Sequence, residues 1–344
     1  MTTLVTGAAG FVGRNVIERL LAEKHDVIAA DLPPVAHLDP SFVVPGVTYR
    51  CGDLRDDAFV RSLFASSRIR AVIHLATVTA NGAGERDRAA AMIEVNVLAV
   101  ERLLAAAARG GSPRVVYVGS GSAYGRAWDS AIPLTEESSP SQPETLYGIT
   151  KLAGEAVALR LGELHGLDVR AVRLGSVFGP WERETAAREA MSIFLQIGRF
   201  ALRRERVVLP REIHARDWIY SRDAAMGLVA LTRAVNPRFR LYHLTSGLEW
   251  TRGLLHWCEA LAAAIDGFTY RQAEIGEQPN VRDSAVRDRA PMRVDRVRAD
   301  IGFVPQFGPE AAARDYAEWL LRHPMHVGGA SSLAPGRSLS ANCA

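Results

Sequence analysis

Cysteine is scarce in this chain, and lysine is scarcer still. Cys51, Cys258 and Cys343 are odd in number, far apart and without Cys-x-x-Cys spacing, which argues against a disulfide framework or a zinc site and leaves reduced thiols as the expectation. No stretch approaches the roughly 18 uninterrupted apolar residues of a membrane span. Residues 1–7 show no basic n-region and no long apolar run, so no signal peptide is expected and a cytoplasmic location follows. Charge of one sign is also missing: 41 basic and 38 acidic residues are mixed along the chain for a net charge of +3, with no basic stripe for nucleic acid or anionic lipid. Neither partner is expected. Hydrophobic residues at 48% and charged residues at 23% over 344 residues exclude a globally disordered chain and allow one large domain with a substantial addition. Of the basic residues only Lys24 and Lys151 are lysine, so the place of a lysine carries information.

Short β-branched runs alternate with helical patterns up to about residue 174. Strands are expected at 4–6, 27–30, 47–50, 71–75, 115–118 and 169–174, and helices at 10–23, 56–64, 86–109 and 146–165. Continuous apolar strands are buried on both faces, so the fold class is α/β, a doubly wound parallel sheet of the Rossmann type with ligands at the strands' carboxyl ends. Beyond Gly179-Pro180 the rhythm breaks, and a smaller, interleaved C-terminal lobe for substrate is expected. The division is 1–179 for the cofactor domain, with 217–245 returning to it, then 180–216 and 246–323 for the lobe. Residues 324–344, rich in Gly, Ser and Pro, are expected to be a disordered tail.

Thr6-Gly7-Ala8-Ala9-Gly10-Phe11-Val12-Gly13 joins the first strand to the first helix, the context of a dinucleotide-binding loop. Gly7 permits the turn, Gly10 the approach of a pyrophosphate, and Gly13 close packing of helix on strand. The helix N-terminus adds amide donors and partial positive charge. Asp31 closes the second strand, where a carboxylate accepts from ribose hydroxyls and repels a 2′-phosphate; no arginine follows directly, so NAD is favoured over NADP. Asp53, after the third strand, is a further contact, to the adenine amino group.

Tyr147 and Lys151 stand four residues apart on one helix face. A tyrosine with an ordinary pKa of about 10 is a poor base at neutral pH, but a neighbouring ammonium stabilises the phenolate. Ser120 and Ser122 leave the fifth strand where the crevice opens, placed to bond a substrate hydroxyl. The set suits removal of a proton from an alcohol with hydride transfer to a nicotinamide.

On these residues the chain resembles the extended short-chain dehydrogenase/reductases, the NAD-dependent epimerase/dehydratase family, from about residue 1 to 320. The markers are TGAAGFVG from Thr6, GDLRD from Gly52, HLAT from His74, NVLAV from Asn96, GSGSAYG from Gly119, YGITK from Tyr147, RLGSVFGP from Arg173 and RDWIYSRDAA from Arg216. The resemblance implies Ser120 as the substrate-hydroxyl partner, Tyr147 as acid/base and Lys151 as its activator. It implies a cofactor groove that takes in Ala9, Phe11, Val12, Leu54, Leu75, Ala76, Asn96, Leu174 and Val177, with packing roles for His74, Tyr124 and Asp223. It also implies a homodimer through the helices at 86–109 and 146–165. With the cysteines as they stand, no metal is expected.

Dehydratases of this family carry Asp-Glu after the serine position, where this chain has Gly121-Ser122; dehydration is not expected. Sugar-nucleotide members carry Asn where Ser176 stands, and Gly-Asp-Gly where Pro210-Arg211-Glu212 stands, which weakens a nucleoside-diphosphate substrate. Arg216 matches an arginine that holds the diphosphate in such enzymes, and Arg282 and Arg287 are candidates for a second. Ser176, Arg216 and Arg183, in the Trp181-Glu182-Arg183 cluster, join Ser120 and Ser122 as expected substrate contacts. The leading expectation is an NAD-dependent oxidoreductase acting on a secondary alcohol of a sugar, sugar acid or related polyhydroxylated, anionic small molecule. A sugar-nucleotide epimerase of the UDP-glucose 4-epimerase type with retained NAD is the rival, and a non-catalytic NAD-binding regulator the third reading.

Overall fold

The strands that read as uninterrupted apolar runs lie side by side in one parallel sheet. The computed structural model describes residues 1–32, 44–65, 68–80, 82–129, 132–184, 191–248, 250, 252–283 and 288–324. In chain order the elements are β1 (Thr2–Thr6), α1 (Phe11–Ala22), β2 (Asp26–Asp31), β3 (Val47–Cys51), α2 (Asp57–Ala65), β4 (Ala71–His74), α3 (Ala83–Ile93), α4 (Ala99–Arg109), β5 (Arg114–Val118), α5 (Leu146–His165), β6 (Val169–Leu174), β7 (Ser176–Phe178), α6 (Ile193–Leu202), β8 (Val207–Leu209), β9 (Trp218–Tyr220), α7 (Ser221–Arg233), β10 (Leu241–Leu244), α8 (Gly253–Ala264), β11 (Tyr270–Gln272), α9 (Asp295–Ile301) and α10 (Pro309–Arg322).

Seven of the described strands form the main sheet in the order β10-β6-β5-β4-β1-β2-β3, every pair parallel. The strand order reverses between β1 and β4, where Thr6 pairs with His74, so the crevice opens beyond these two carboxyl ends. α1 and α7 cover one face over Val16, Ile17, Leu20 and Leu228, while α2, α4 and α5 cover the other over Leu63, Val100, Leu103 and Ala158. β10 joins the edge beside β6.

At Gly175 the chain leaves the sheet. β7 pairs with β9 and β8 with β11 in two small parallel sheets, and these, with α6, α8 and α10, enclose a separate aromatic core. Phe178 stacks on Phe194 with centroids 3.9 Å apart, and Trp257 on Tyr316 at 4.5 Å. This core ties β7, which bears the groove residues Ser176 and Val177, and β9, which bears Trp218, to the helices of the lobe.

The single helix expected at 86–109 departs from regularity. α3 and α4 are joined by a π-helical turn, Glu94–Leu98, with one extra residue in the turn. The wider turn holds Asn96, which is buried. Periodicity cannot register one inserted residue when the apolar stripe resumes after it. The expected tail lies outside the described residues apart from Pro324, as do Cys343 and Arg287. Among the described cysteines, Cys51 and Cys258 are free thiols, and no described helix is long and apolar enough to cross a membrane.

Candidate active site

The loop after β1 is shaped around the absence of side chains. Gly7 has φ of +66°, and a Cβ there would stand 2.6 Å from the Ala76 amide nitrogen and 2.9 Å from the Leu75 carbonyl carbon. A Cβ on Gly13 would stand 2.3 Å from the Gly7 oxygen, so α1 can approach only with glycine there. Gly10 is the N-cap of α1 and no side chain caps the helix, which leaves the positive end of its dipole to a ligand. Asp31 ends β2 with Oδ2 accepting from the Ala9 amide at 2.7 Å and Oδ1 from the Leu32 amide at 2.8 Å. Burial pushes this carboxyl up, and the two amides and the Arg183 charge oppose the shift. A backbone cradle too tight for Cβ atoms, a helix N-terminus and a carboxylate at the second strand together fit a dinucleotide with an unmodified ribose.

Asp53 turns its carboxylate to Arg55, which donates to both oxygens and holds it below the usual carboxylate range. Asn96 bonds entirely to protein. Its Oδ1 accepts from the Thr77 hydroxyl and the Val78 amide, both at 2.9 Å, and its Nδ2 donates to the Val78 carbonyl and to Thr150 Oγ1, both at 3.0 Å. It joins the segment after β4 to α5 one residue before Lys151, which is a positioning arrangement. Leu75 and Ala76 border the glycine loop.

Thr145 Oγ1 accepts from the Gly148 amide at 3.1 Å and so starts α5 one residue before Leu146. Tyr147, Lys151 and Glu155 then follow at i, i+4 and i+8. Lys151 Nζ donates to the Val118 carbonyl at 2.6 Å and lies 4.9 Å from the centre of the Tyr117 ring. Burial pushes Lys151 down to about 7, with the Glu155 charge opposing. Ser120 Oγ accepts from the Ser122 amide at 3.1 Å, which leaves the hydroxyl proton to be donated elsewhere.

Tyr147, Ser120 and Ser122 face one cavity of about 250 Å³, and Leu174, Ser176, Val177 and Arg216 line it too. The cavity thus brings together residues expected at the substrate, Ser120, Ser122, Ser176 and Arg216, the expected acid/base Tyr147, and two expected at the cofactor, Leu174 and Val177. Arg183, expected at the substrate, lies instead at the cofactor loop, where its Nη2 donates to the Ala9 carbonyl at 3.1 Å. The cause is the preceding turn. Trp181 takes φ of +70°, its Nε1 donates to Glu18, Arg14 stacks over its ring at 4.4 Å, and Asn15 holds the Pro180 carbonyl at 2.9 Å. Residues 180–183 are thereby laid along α1.

Two charged residues of the cavity wall escape the sequence reading, Asp217 and Arg289, along with uncharged ones such as Thr79, Trp128 and Ser192. Asp217 was legible beside Arg216 in the same motif; Arg289 is one arginine among many. Asp217 Oδ2 accepts from the Met292 amide at 2.7 Å, and burial pushes the carboxyl up to about 7. A folded-state value above the unfolded one favours folding while the group is protonated, and that contribution is lost as pH rises through about 7. Asp217→Asn keeps the acceptor without the charge. Its unfolding free energy should match wild type near pH 4 and exceed it progressively towards pH 8, by on the order of a few kcal/mol; parallel pH curves for the two proteins would contradict this.

Beneath the site lies a buried polar layer. Glu155 and Arg173 form two hydrogen bonds at 2.8 and 2.9 Å, and Arg173 stacks 4.4 Å over the Tyr124 ring. His243 Nδ1 faces the Arg293 carbonyl at 2.9 Å, so it bears the ring proton and Nε2 accepts from the Tyr124 hydroxyl. Burial pushes both His243 and His74 down to about 3, so both stay neutral. Among the described residues no cluster of His, Cys, Asp and Glu is arranged to hold a metal.

Comparison with known proteins gives the family and the fold. The UDP-glucuronate 4-epimerase 4 of Arabidopsis thaliana is 32% identical over 199 residues, 54% of this chain and 44% of that protein, so the chain spans less than half of that relative's length. Sterol demethylase protein B of Methylococcus capsulatus is 32% identical over 269 residues, 76% of this chain and 74% of that protein. The crystal structure of Thermus thermophilus UDP-glucose 4-epimerase complexed with NAD matches with a TM-score of 0.74 at 25% identity, covering 96% of this chain and 100% of that one. The sequence pattern of the NAD dependent epimerase/dehydratase family spans residues 3–242. With that match and the Gly7 to Asp31 cradle in place, the chain belongs to the NAD dependent epimerase/dehydratase family, whose cofactor is NAD.

Proposed function

We propose that the chain is a C4 epimerase of a nucleoside-diphosphate sugar that keeps its NAD bound through the cycle. One observation carries this: Ser120 and Tyr147 share a single cavity with Ser176 and Arg216, so a reacting hydroxyl and a phosphate-bearing tail fit one groove. The 4-epimerases among the similar proteins, named for UDP-glucuronate and UDP-glucose, support the reading and reverse the order expected from sequence. Ser176 replaces an amide with a hydroxyl on the groove wall, which still offers a donor and an acceptor.

The loop of Gly7, Gly10 and Gly13 with Asp31 would hold NAD, which when bound supplies a reversible acceptor for the carbon-bound hydrogen. Tyr147 takes the proton of the substrate hydroxyl and returns it at the end of the cycle. Lys151, buried beneath, stabilises the phenolate while it bears its charge, and Ser120 donates to the substrate oxygen as negative charge develops there. Thr150 fixes the start of the helix by donating to the Tyr147 carbonyl at 3.0 Å. Arg183 and Trp181, laid over α1, favour retention of the cofactor.

One observation favours a dehydrogenase of an unphosphorylated sugar instead. Arg216 is buried and paired with Asp283 at 2.8 Å, which offsets its charge towards a diphosphate. Cofactor content separates the two. Protein freed of small molecules by gel filtration and then denatured should release close to one NAD(H) per chain; a chain that emerges empty and binds NAD reversibly would favour the dehydrogenase.

A further inference from the structure

Residues 288–293 form a ribbon along the cavity, fixed by main-chain bonds on both sides. The Arg289 amide donates to the Ala215 carbonyl at 3.0 Å, the Ala290 amide to the Trp128 carbonyl at 2.9 Å, and the Leu134 amide to the Pro291 carbonyl at 2.8 Å. The ribbon holds Asp217 through the Met292 amide, which donates to its Oδ2 at 2.7 Å. Met292 in turn packs on the serine loop, since a Cβ on Gly121 would stand 3.2 Å from its Cε. On the other side the Asp217 carbonyl accepts from the Ser176 amide at 2.8 Å. Asp217 thus bridges the wall of Ser176 and Arg216 to the loop of Ser120. Of the described residues that line the cavity it alone bears a carboxyl, and the proton transfer by Tyr147 makes no use of it.

We propose that Asp217 accepts from a hydroxyl on the C2–C3 edge of the reacting sugar, and so admits sugars that carry this hydroxyl and rejects their deoxy counterparts. This deepens the epimerase reading and rests on its placement of the sugar. In a nucleoside-diphosphate sugar the diphosphate leaves from C1, on the side of Ser176 and Arg216, and the reacting hydroxyl is on C4, at Tyr147 and Ser120. A group in the wall between the two meets the ring between C1 and C4. One way round, those ring atoms are C2 and C3, each with a hydroxyl; the other way they are C5 and the ring oxygen, neither of which bears one. An acceptor fits the first edge. A carboxyl has lone pairs beyond those that one amide engages, so the Met292 bond fixes its place and leaves it able to accept. Burial pushes the carboxyl up to about 7, and the Arg289 charge opposes the shift. It accepts in both protonation states, and more strongly when ionised. A polar group left unpaired by the wrong ligand discriminates more sharply than an apolar wall does.

The test measures dissociation constants by calorimetry, at about pH 8, for UDP-glucose and its 2-deoxy, 3-deoxy and 6-deoxy analogues on the NAD-loaded protein, with C4 epimerisation of UDP-glucose followed separately. In wild type the 2-deoxy or the 3-deoxy analogue should bind about tenfold to a hundredfold more weakly than UDP-glucose. Asp217→Asn, which still accepts from the Met292 amide and so keeps the ribbon in place, should shrink that penalty by about tenfold. Asp217→Ala should remove it, and any penalty for the 6-deoxy analogue should be the same in all the proteins. An equal loss of affinity for every ligand on substitution, or a dependence on Asp217 confined to the 6-deoxy analogue, overturns the proposal. An Asp217-dependent penalty without epimerisation of UDP-glucose would sustain it and sink the epimerase reading. Epimerisation with no such penalty would do the reverse, and a protein that binds none of these ligands overturns both.

Discussion

Tyr147→Phe should lower turnover by about a hundredfold to ten-thousandfold, the range expected on removing a positioned general acid/base, while the NAD released on denaturation stays at the wild-type level. The separation follows from the architecture. The cradle proposed for NAD is built from backbone at Gly7, Gly10 and Gly13 and from Asp31, whereas Tyr147 faces the separate cavity proposed for substrate from the first turn of α5. Phenylalanine keeps the ring and removes only the hydroxyl, so the melting temperature should change little. Burst and steady-state rates with a turned-over substrate would check this, together with cofactor content. A Tyr147→Phe protein of undiminished turnover would place the proton transfer elsewhere, and undiminished biological activity without any turnover would revive a regulatory role.

Glu155→Gln should be the most destabilising of the changes considered. Glu155 and Arg173 are both buried and share two hydrogen bonds, so removing the carboxylate leaves an arginine charge without its partner in low dielectric. Such breakages cost about 3 to 5 kcal/mol. The loss should appear as a lower denaturant midpoint at unchanged m-value. A double substitution, Glu155→Met with Arg173→Met, removes both charges and should recover most of the loss. Because the Glu155 charge opposes the burial that pushes Lys151 down to about 7, Glu155→Gln should also move Lys151 lower. Activity that depends on the ammonium would then decline from a lower pH as pH rises. A variant as stable as wild type would mean that Arg173 is satisfied by Tyr124 and solvent instead.

The parts of this molecule that are legible in sequence are those where local chemistry and long-range packing demand the same residue. β1, β2 and β4 to β6 read as largely apolar runs because both faces of the sheet are covered there, whereas the edge strand β3 is only partly buried; Gly7 and Gly13 are fixed by contacts shorter than any side chain allows. Tyr147 and Lys151 were recoverable because four residues is one helical turn, and because lysine is otherwise nearly absent. The substrate wall is different. Arg183 and Arg289 are alike in sequence, and what parts them is tertiary: Trp181 docks the first on α1, while the ribbon of residues 288–293 seats the second on Trp128. The π turn at Asn96 is likewise set by its four bonds to Thr77, Val78 and Thr150, partners that no periodicity connects.

The most direct test of the central claim is to incubate the NAD-loaded protein with UDP-glucuronate and follow the sugar by proton NMR and the cofactor by absorbance at about 340 nm, the nicotinamide band used in assays of such enzymes. The account predicts that the C4 epimer accumulates to a constant ratio with no net NADH. Equimolar NADH with an oxidised sugar as the end product would contradict it and return the chain to the dehydrogenases.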